Sequence, residues 1–200
     1  MTLRIGILIF DGAEELDFVG PYEVFTMAAA LEEGSTEVLL IAERDAPVAC
    51  AKGMRVLPHA TTATCGKLDV ILVPGGQGTR REVDNAPLLA WIAEQAKTAT
   101  WTTSVCTGAM LLTAAGPARG KRVTTHWAFI ETLRARGEAS EVLEHYRYVQ
   151  DGNIVTSAGV SAGIDMALWL VGQLHDIPFA RHVQRRMEYE PLPPYGGLTG

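Results

Sequence analysis

Runs of basic residues are missing from this chain. No stretch of lysine and arginine exceeds two residues, and 17 basic against 23 acidic side chains leave a net charge of −6. Nucleic-acid binding wants a basic face, so that class of partner is not expected; a soluble protein of modest negative potential is. Long apolar runs are missing too. Residues 5–10, interrupted by a glycine, and residues 166–171 fall far short of the ~20 residues that a membrane span needs. Patterned sequence begins at residue 3 with nothing before it that reads as a signal peptide, so a cytoplasmic location is expected. Cysteine is scarce: Cys50, Cys65 and Cys106 form no CxxC pair. That argues against a disulfide scaffold or a zinc site and fits a reducing compartment.

What is present is alternation. Apolar, β-branched runs at residues 4–10 (RIGILIF), 37–42 (EVLLIA), 70–73 and 100–104 read as strands, and longer stretches between them are patterned as helices. Helices are predicted from about Asp17 or Pro21 to Leu31, from Pro87 to Lys97, and over 108–115, 129–136, 162–175 and 178–188. The 162–175 stretch is apolar almost all round, which predicts burial. Residues 50–59 predict a short excursion or hairpin, and 123–125 a short extended piece. Residues 146–150 and 153–157 predict a hairpin turned on Asp151-Gly152. Strand–helix alternation with short connections predicts an α/β fold on a mostly parallel sheet. The expected organisation is one domain over 1–190 with a Pro- and Gly-rich tail at 191–200, extended or disordered. In such folds ligands gather at the carboxyl ends of strands.

The densest chemical signal is the stretch 102–110 (TTSVCTGAM). A strand, one reactive side chain and then small residues opening a helix make the pattern of a nucleophile elbow. The helix start also favours a thiolate, the reactive form of cysteine, which makes Cys106 the candidate nucleophile. Cys50 and Cys65 lie in loop-like sequence and read as structural. A nucleophilic thiol needs a group to handle its proton, and Glu14, Glu15 and Asp17 follow the first strand; the residues alone do not choose among them. Gly75 and Gly76, after the 70–73 strand, offer backbone N–H groups suited to a developing negative charge. They lack the Lys-Ser/Thr of a phosphate-binding loop. His126 is a candidate base or substrate-binding residue, and equally fits a satisfied interior histidine. The other histidines show no ligand spacing, so neither a metal nor a cofactor is expected.

Together these segments resemble the ThiJ/PfpI superfamily, which shares a flavodoxin-like three-layer sandwich with the class I glutamine amidotransferases. The resemblance runs from Leu3 to Gly196, on residues 4–12, 14–23 (EELDFVGPYE), 73–76, 104–108, 123–127 and 157–168 (SAGVSAGIDMAL). It implies that Cys106 is the elbow nucleophile and that the acid beside it is Asp17. Within the superfamily, Leu16-Asp17 with residues 20–24, SVCTG and TTHW are most similar to the isocyanide hydratases, which add water to an isocyanide to give an N-substituted formamide. That similarity implies a covalent thioimidate on Cys106, Asp17 as general acid and base, Thr107 shaping the pocket, and a homodimer acting on a small molecule. Peptidase-like and glyoxalase-like members usually place His directly after the cysteine, where this chain has Thr107. Sensor domains of AraC-type regulators carry nearly the same motifs and continue into a helix-turn-helix domain, which is not expected here. Glyoxalase or deglycase chemistry and redox or ligand sensing are the alternatives the resemblance offers.

Overall fold

The computed structural model describes residues 2–191; of the tail predicted at 191–200, residues 192–200 lie outside them. The first apolar run forms β1 (Leu3–Leu8), which leads into α1 (Glu15–Leu31) and then β2 (Thr36–Ala42). A short hairpin, β3 (Val48–Ala49) with β4 (Arg55–Val56), and a two-residue β5 (Ala60–Thr61) precede β6 (Val70–Val73). Helices α2 (Thr79–Glu82) and α3 (Ala86–Ala96) connect to β7 (Trp101–Val105). Next come α4 (Gly108–Ala115), β8 (Arg122–Val123), α5 (Ile130–Ala135) and β9 (Glu141–Val142). The hairpin β10 (Tyr148–Asp151) and β11 (Ile154–Ser157) is followed by α6 (Ala162–Leu174) and α7 (Ile177–Arg186).

Seven strands form one sheet in the order β10-β11-β7-β6-β1-β2-β5, parallel except for the β10–β11 hairpin. The pivot is β1. From β1 the chain crosses to β2 on one side; from its other neighbour, β6, it crosses to β7 in the opposite direction. Right-handed crossovers then place α1 and α3 on opposite faces. Accordingly α1 packs with α6 and α7, whereas α3 packs with α4. The reversal makes the carboxyl ends of β1 and β6 the point where an open α/β sheet leaves a crevice.

The central strands are covered on both faces, as parallel strands require. Val70, Ile71, Leu72 and Val73 are fully buried, with Phe18 and Phe25 of α1 among the largest side chains enclosed and Leu88, Ile92 and Leu111 enclosed from α3 and α4. Two details differ from the sequence expectation. First, α1 starts before Asp17 and carries Pro21 inside it. Proline cannot donate to the carbonyl four residues back, which is that of Asp17. Its ring instead lies against α6, where a Cβ at Gly163 would come within 3.2 Å of Pro21 Cγ. Second, Asp151 pairs with Ile154, so the hairpin turns on Gly152-Asn153 rather than Asp151-Gly152. Gly152, at φ 65°, takes the first central position of a type II′ turn. The Asp151 carboxylate accepts the Arg122 N–H at 3.0 Å, which ties this residue to β8. The unanticipated elements, β5, β9 and α2, are two to four residues long, too short for a periodic pattern.

Candidate active site

Cys106 stands between β7 and α4 with φ 55°, a left-handed conformation that costs a residue other than glycine about 1–3 kcal/mol. The corner is pinned on both sides. The Cys106 N–H is shared between the Ser157 and Ala158 carbonyls at 3.1 and 3.2 Å, and its carbonyl accepts the Thr125 hydroxyl at 2.8 Å. Gly108, directly beyond, lets the helix lie against β6: a Cβ there would sit 2.1 Å from the Val73 carbonyl oxygen.

The three acids after β1 separate cleanly. Glu14 forms an ion pair with Lys52. Glu15 accepts the Lys52 N–H at 2.7 Å and so holds the β3–β4 turn. Asp17 turns inward, 0% exposed, and its Oδ2 accepts the Gly75 N–H at 2.9 Å. Its Oδ1 has no well-aligned donor, although the Cys106 thiol is near enough to favour the carboxylate, as does the Val160 N–H more weakly. Burial outweighs these contacts and raises the Asp17 carboxyl to about 7. Two acidic groups thus share one dry space.

Burial also pushes the Cys106 thiol up, to about 12, with the negative charge of Asp17 adding to the rise. The sequence expectation of a thiol ionised by its helix start is therefore corrected. The Thr107 N–H and hydroxyl do favour the thiolate, but desolvation and a neighbouring carboxylate are stronger. Above about pH 7 the pair holds a single negative charge, which can move between oxygen and sulfur with one proton.

Gly75 and Gly76 are also corrected as free charge-stabilising donors. The Gly75 N–H is engaged by Asp17, and the Gly76 N–H donates to Thr107 Oγ1 at 3.1 Å. Their role here is to position the acid and the threonine. Neither admits a side chain: a Cβ on Gly75 would lie 2.5 Å from the Thr107 nitrogen, and one on Gly76 would lie 2.3 Å from that of Glu14. Thr107, 1% exposed, lies at the centre of the resulting network.

His126 caps a 3₁₀ turn over Trp127–Phe129, its Nδ1 accepting the Ala128 N–H at 3.2 Å. That leaves Nε2 to carry the proton of the neutral ring. The ring walls a cavity of about 390 Å³ together with Thr125, Trp127, Ile130, Tyr146 and Gly159. Two walls of this cavity, Thr125 and Ala158, are among the residues that pin Cys106. A larger cleft of about 880 Å³ includes Asp11, Glu43, Arg81 and Asn85 but neither Cys106 nor Asp17. Its polar groups largely satisfy one another, as in the Asn85 bonds to Glu43 and Glu82. Cys50 is buried and pushed up to about 11 by burial and by Glu15 and Asp11. Cys65 donates to local carbonyls.

Sequence reasoning missed Val160, a branched residue at φ 55°, and Thr79, whose hydroxyl joins the Thr107 network. Gly159 beside the first and the glycine turn before the second were the available signals. Among the described residues, no group of three or more His, Cys, Asp or Glu is arranged to hold a metal, and no helix is long and apolar enough to cross a membrane.

Comparison with known proteins bears on the family and the fold. Residues 3–173 match the DJ-1/PfpI family. The chain is 42% identical to an isonitrile hydratase of Pseudomonas putida over 98% of its own length and 82% of that protein. Its fold is similar to the crystal structure of a ThiJ/PfpI family protein from Pseudomonas syringae, with a TM-score of 0.88, 33% identity, and coverage of 98% of this chain and 78% of that one. It is also similar to Drosophila melanogaster DJ-1beta, with a TM-score of 0.83, 22% identity, and coverage of 96% and 100%.

Proposed function

The chain belongs to the DJ-1/PfpI family, and from that premise we propose that it is a cysteine-dependent isocyanide hydratase. The observation that carries the reading is the buried pair itself. A carboxyl raised to about 7 is matched to accept and return a proton at neutral pH, and the side chain it serves is a thiol on a strained corner. The substrate class comes from the likeness to the P. putida isonitrile hydratase.

In the proposed reaction, Asp17 takes the thiol proton as the Cys106 sulfur bonds to the terminal isocyanide carbon, and returns that proton to the same carbon. The product is the thioimidate R–N=CH–S–Cys106. Asp17 then draws a proton from water as its oxygen adds to that carbon and passes that proton to the nitrogen, giving the adduct R–NH–CH(OH)–S–Cys106. Collapse of the adduct breaks the C–S bond, returns a proton to sulfur and releases R–NH–CHO. The sum is one isocyanide plus one water to one formamide. Thr107, through its N–H and hydroxyl, holds the negative charge on sulfur. The substituent R extends into the cavity bordered by His126, Trp127 and Tyr146, whose apolar and aromatic walls suit a hydrocarbon or aryl group. A cytoplasmic homodimer is part of the proposal. No metal or cofactor enters it.

The decisive experiment is formamide production from a small aryl isocyanide by the wild type and by Cys106→Ala. Turnover is expected from the first alone, with a Cys106 adduct detectable by mass spectrometry. Formamide from the alanine variant at the wild-type rate ends the proposal. Product from methylglyoxal but none from isocyanides would move the protein to glyoxalase chemistry.

A further inference from the structure

A second set of hydroxyls converges on Thr107 from outside the elbow. Thr79, fully buried at the start of α2, places its Oγ1 2.8 Å from the Gly76 carbonyl oxygen and 3.1 Å from Thr107 Oγ1. Arg80 Nη1 donates to the same carbonyl at 2.7 Å and reaches Thr79 Oγ1 at 3.2 Å. The Arg80 guanidinium rests 4.1 Å above the centre of the Phe129 ring, which holds the fork in place.

Counting protons decides where the Thr107 hydrogen goes. A carbonyl oxygen has two lone pairs, and on Gly76 three donors lie closer than Thr107: Arg80 Nη1 at 2.7 Å, the Thr79 hydroxyl at 2.8 Å and the Thr79 N–H at 3.2 Å. The Thr107 hydroxyl stands 3.3 Å from that oxygen, the longest of the four approaches. One Thr107 lone pair receives the Gly76 N–H. The other acceptor beside the Thr107 hydroxyl is the Cys106 sulfur, whose charged form that hydroxyl favours.

We propose that Thr79 and Arg80 are positioning residues: by saturating the Gly76 carbonyl they turn the Thr107 hydroxyl onto the Cys106 sulfur. The nucleophile's readiness is then set partly by two neighbours on α2. This inference rests on Cys106 being the nucleophile of the proposed reaction but is independent of which substrate it attacks.

The test reads the thiol directly. In the full chain, alkylation of Cys106 by iodoacetamide is followed by peptide mass spectrometry across a pH series, alongside kcat and KM on an aryl isocyanide. Thr79→Val keeps the side-chain shape and removes the hydroxyl. It is expected to slow alkylation at neutral pH about tenfold, the scale of one hydrogen bond to a charged group, and to displace the pH profile upward. The kcat is expected to fall by a similar factor with KM within about twofold, a split that marks loss of a transition-state contact. Thr79→Ser restores both. A wild-type alkylation profile in Thr79→Val overturns the proposal, as does a Thr79→Ser variant as impaired as valine, which would leave Thr79 a packing role only. If Thr79→Val does not fold, Arg80→Met frees one Gly76 lone pair from the exposed side. A smaller upward displacement is then expected, and none at all overturns the idea. Absence of isocyanide turnover in the wild type counts against the hydratase reading alone, because the alkylation arm does not use that substrate.

Discussion

Two kinds of helix start occur in this molecule. The starts of α3 and α7 are closed by their own side chains: Asn85 accepts the Leu88 N–H, and Asp176 accepts the Phe179 N–H at 2.7 Å, each with a proline in the first turn. The starts of α1, α4 and α6 have no side-chain cap. These uncapped starts follow β1, β7 and β11, and they meet around Cys106. There the orphan amides find other partners: the Thr107 N–H favours the thiolate, and the Val160 N–H favours the Asp17 carboxylate. Where local satisfaction is complete a helix end serves stability; at these three starts it is withheld, and donors are left for the thiol and the carboxyl.

That contrast can be broken by substitution. Asp17→Asn carries the largest expected effect: kcat on an aryl isocyanide drops by at least ~10²-fold while the fold is kept, as steady-state kinetics with circular dichroism will report. Wild-type activity rises with pH through a midpoint near 7, because a pair in which both groups are protonated lacks the base that Asp17 supplies; the asparagine variant lacks this limb. Gly75→Ala comes next. Its Cβ would press on Thr107 and Cys106, so denaturant titration should register a loss of about 1–3 kcal/mol together with a severe loss of turnover.

A third effect concerns stability and its sign. The folded Asp17 carboxyl lies near 7, above its ordinary value of 3.8, so between those values the folded chain binds more protons than the unfolded one. Its contribution therefore declines as pH rises through that window and levels off above it. The expected size is roughly 4 kcal/mol from the shift, and the stability of Asp17→Asn relative to wild type should climb from pH 4 to pH 8 in urea unfolding. An unchanging difference would remove the burial argument. The smallest effect belongs to the other kind of helix start: Asp176→Ala should cost about 1 kcal/mol of stability and leave kinetics untouched.

Much of this architecture is legible in the sequence because it rests on contiguous signals. The apolar runs that became β1, β2, β6 and β7 are buried for the same reason that they are conspicuous, and the elbow declares itself by small residues around one thiol. The choice of Asp17 over Glu14 and Glu15 needed the family resemblance, since the three acids differ only in which way the first turn of α1 aims them. What the sequence does not carry is competition between partners. Nothing in Gly75-Gly76 says that both amides are already engaged, and nothing around Cys106 says that desolvation defeats the pull of the helix start. Thr79 is invisible for the same reason, since its role depends on a carbonyl three residues away having no lone pair left.

The walls of the cavity beside the elbow come from the 124–130 and 144–147 loops and from 158–159, whereas the proposed reacting pair sits in the first turn of α1 and just beyond β7. Such a division of labour makes the protein adaptable. Selection, or an engineer, can reshape the rim at Trp127 or Tyr146, both exposed, and so widen or narrow the range of molecules admitted. The tense corner proposed to perform the bond-making stays untouched.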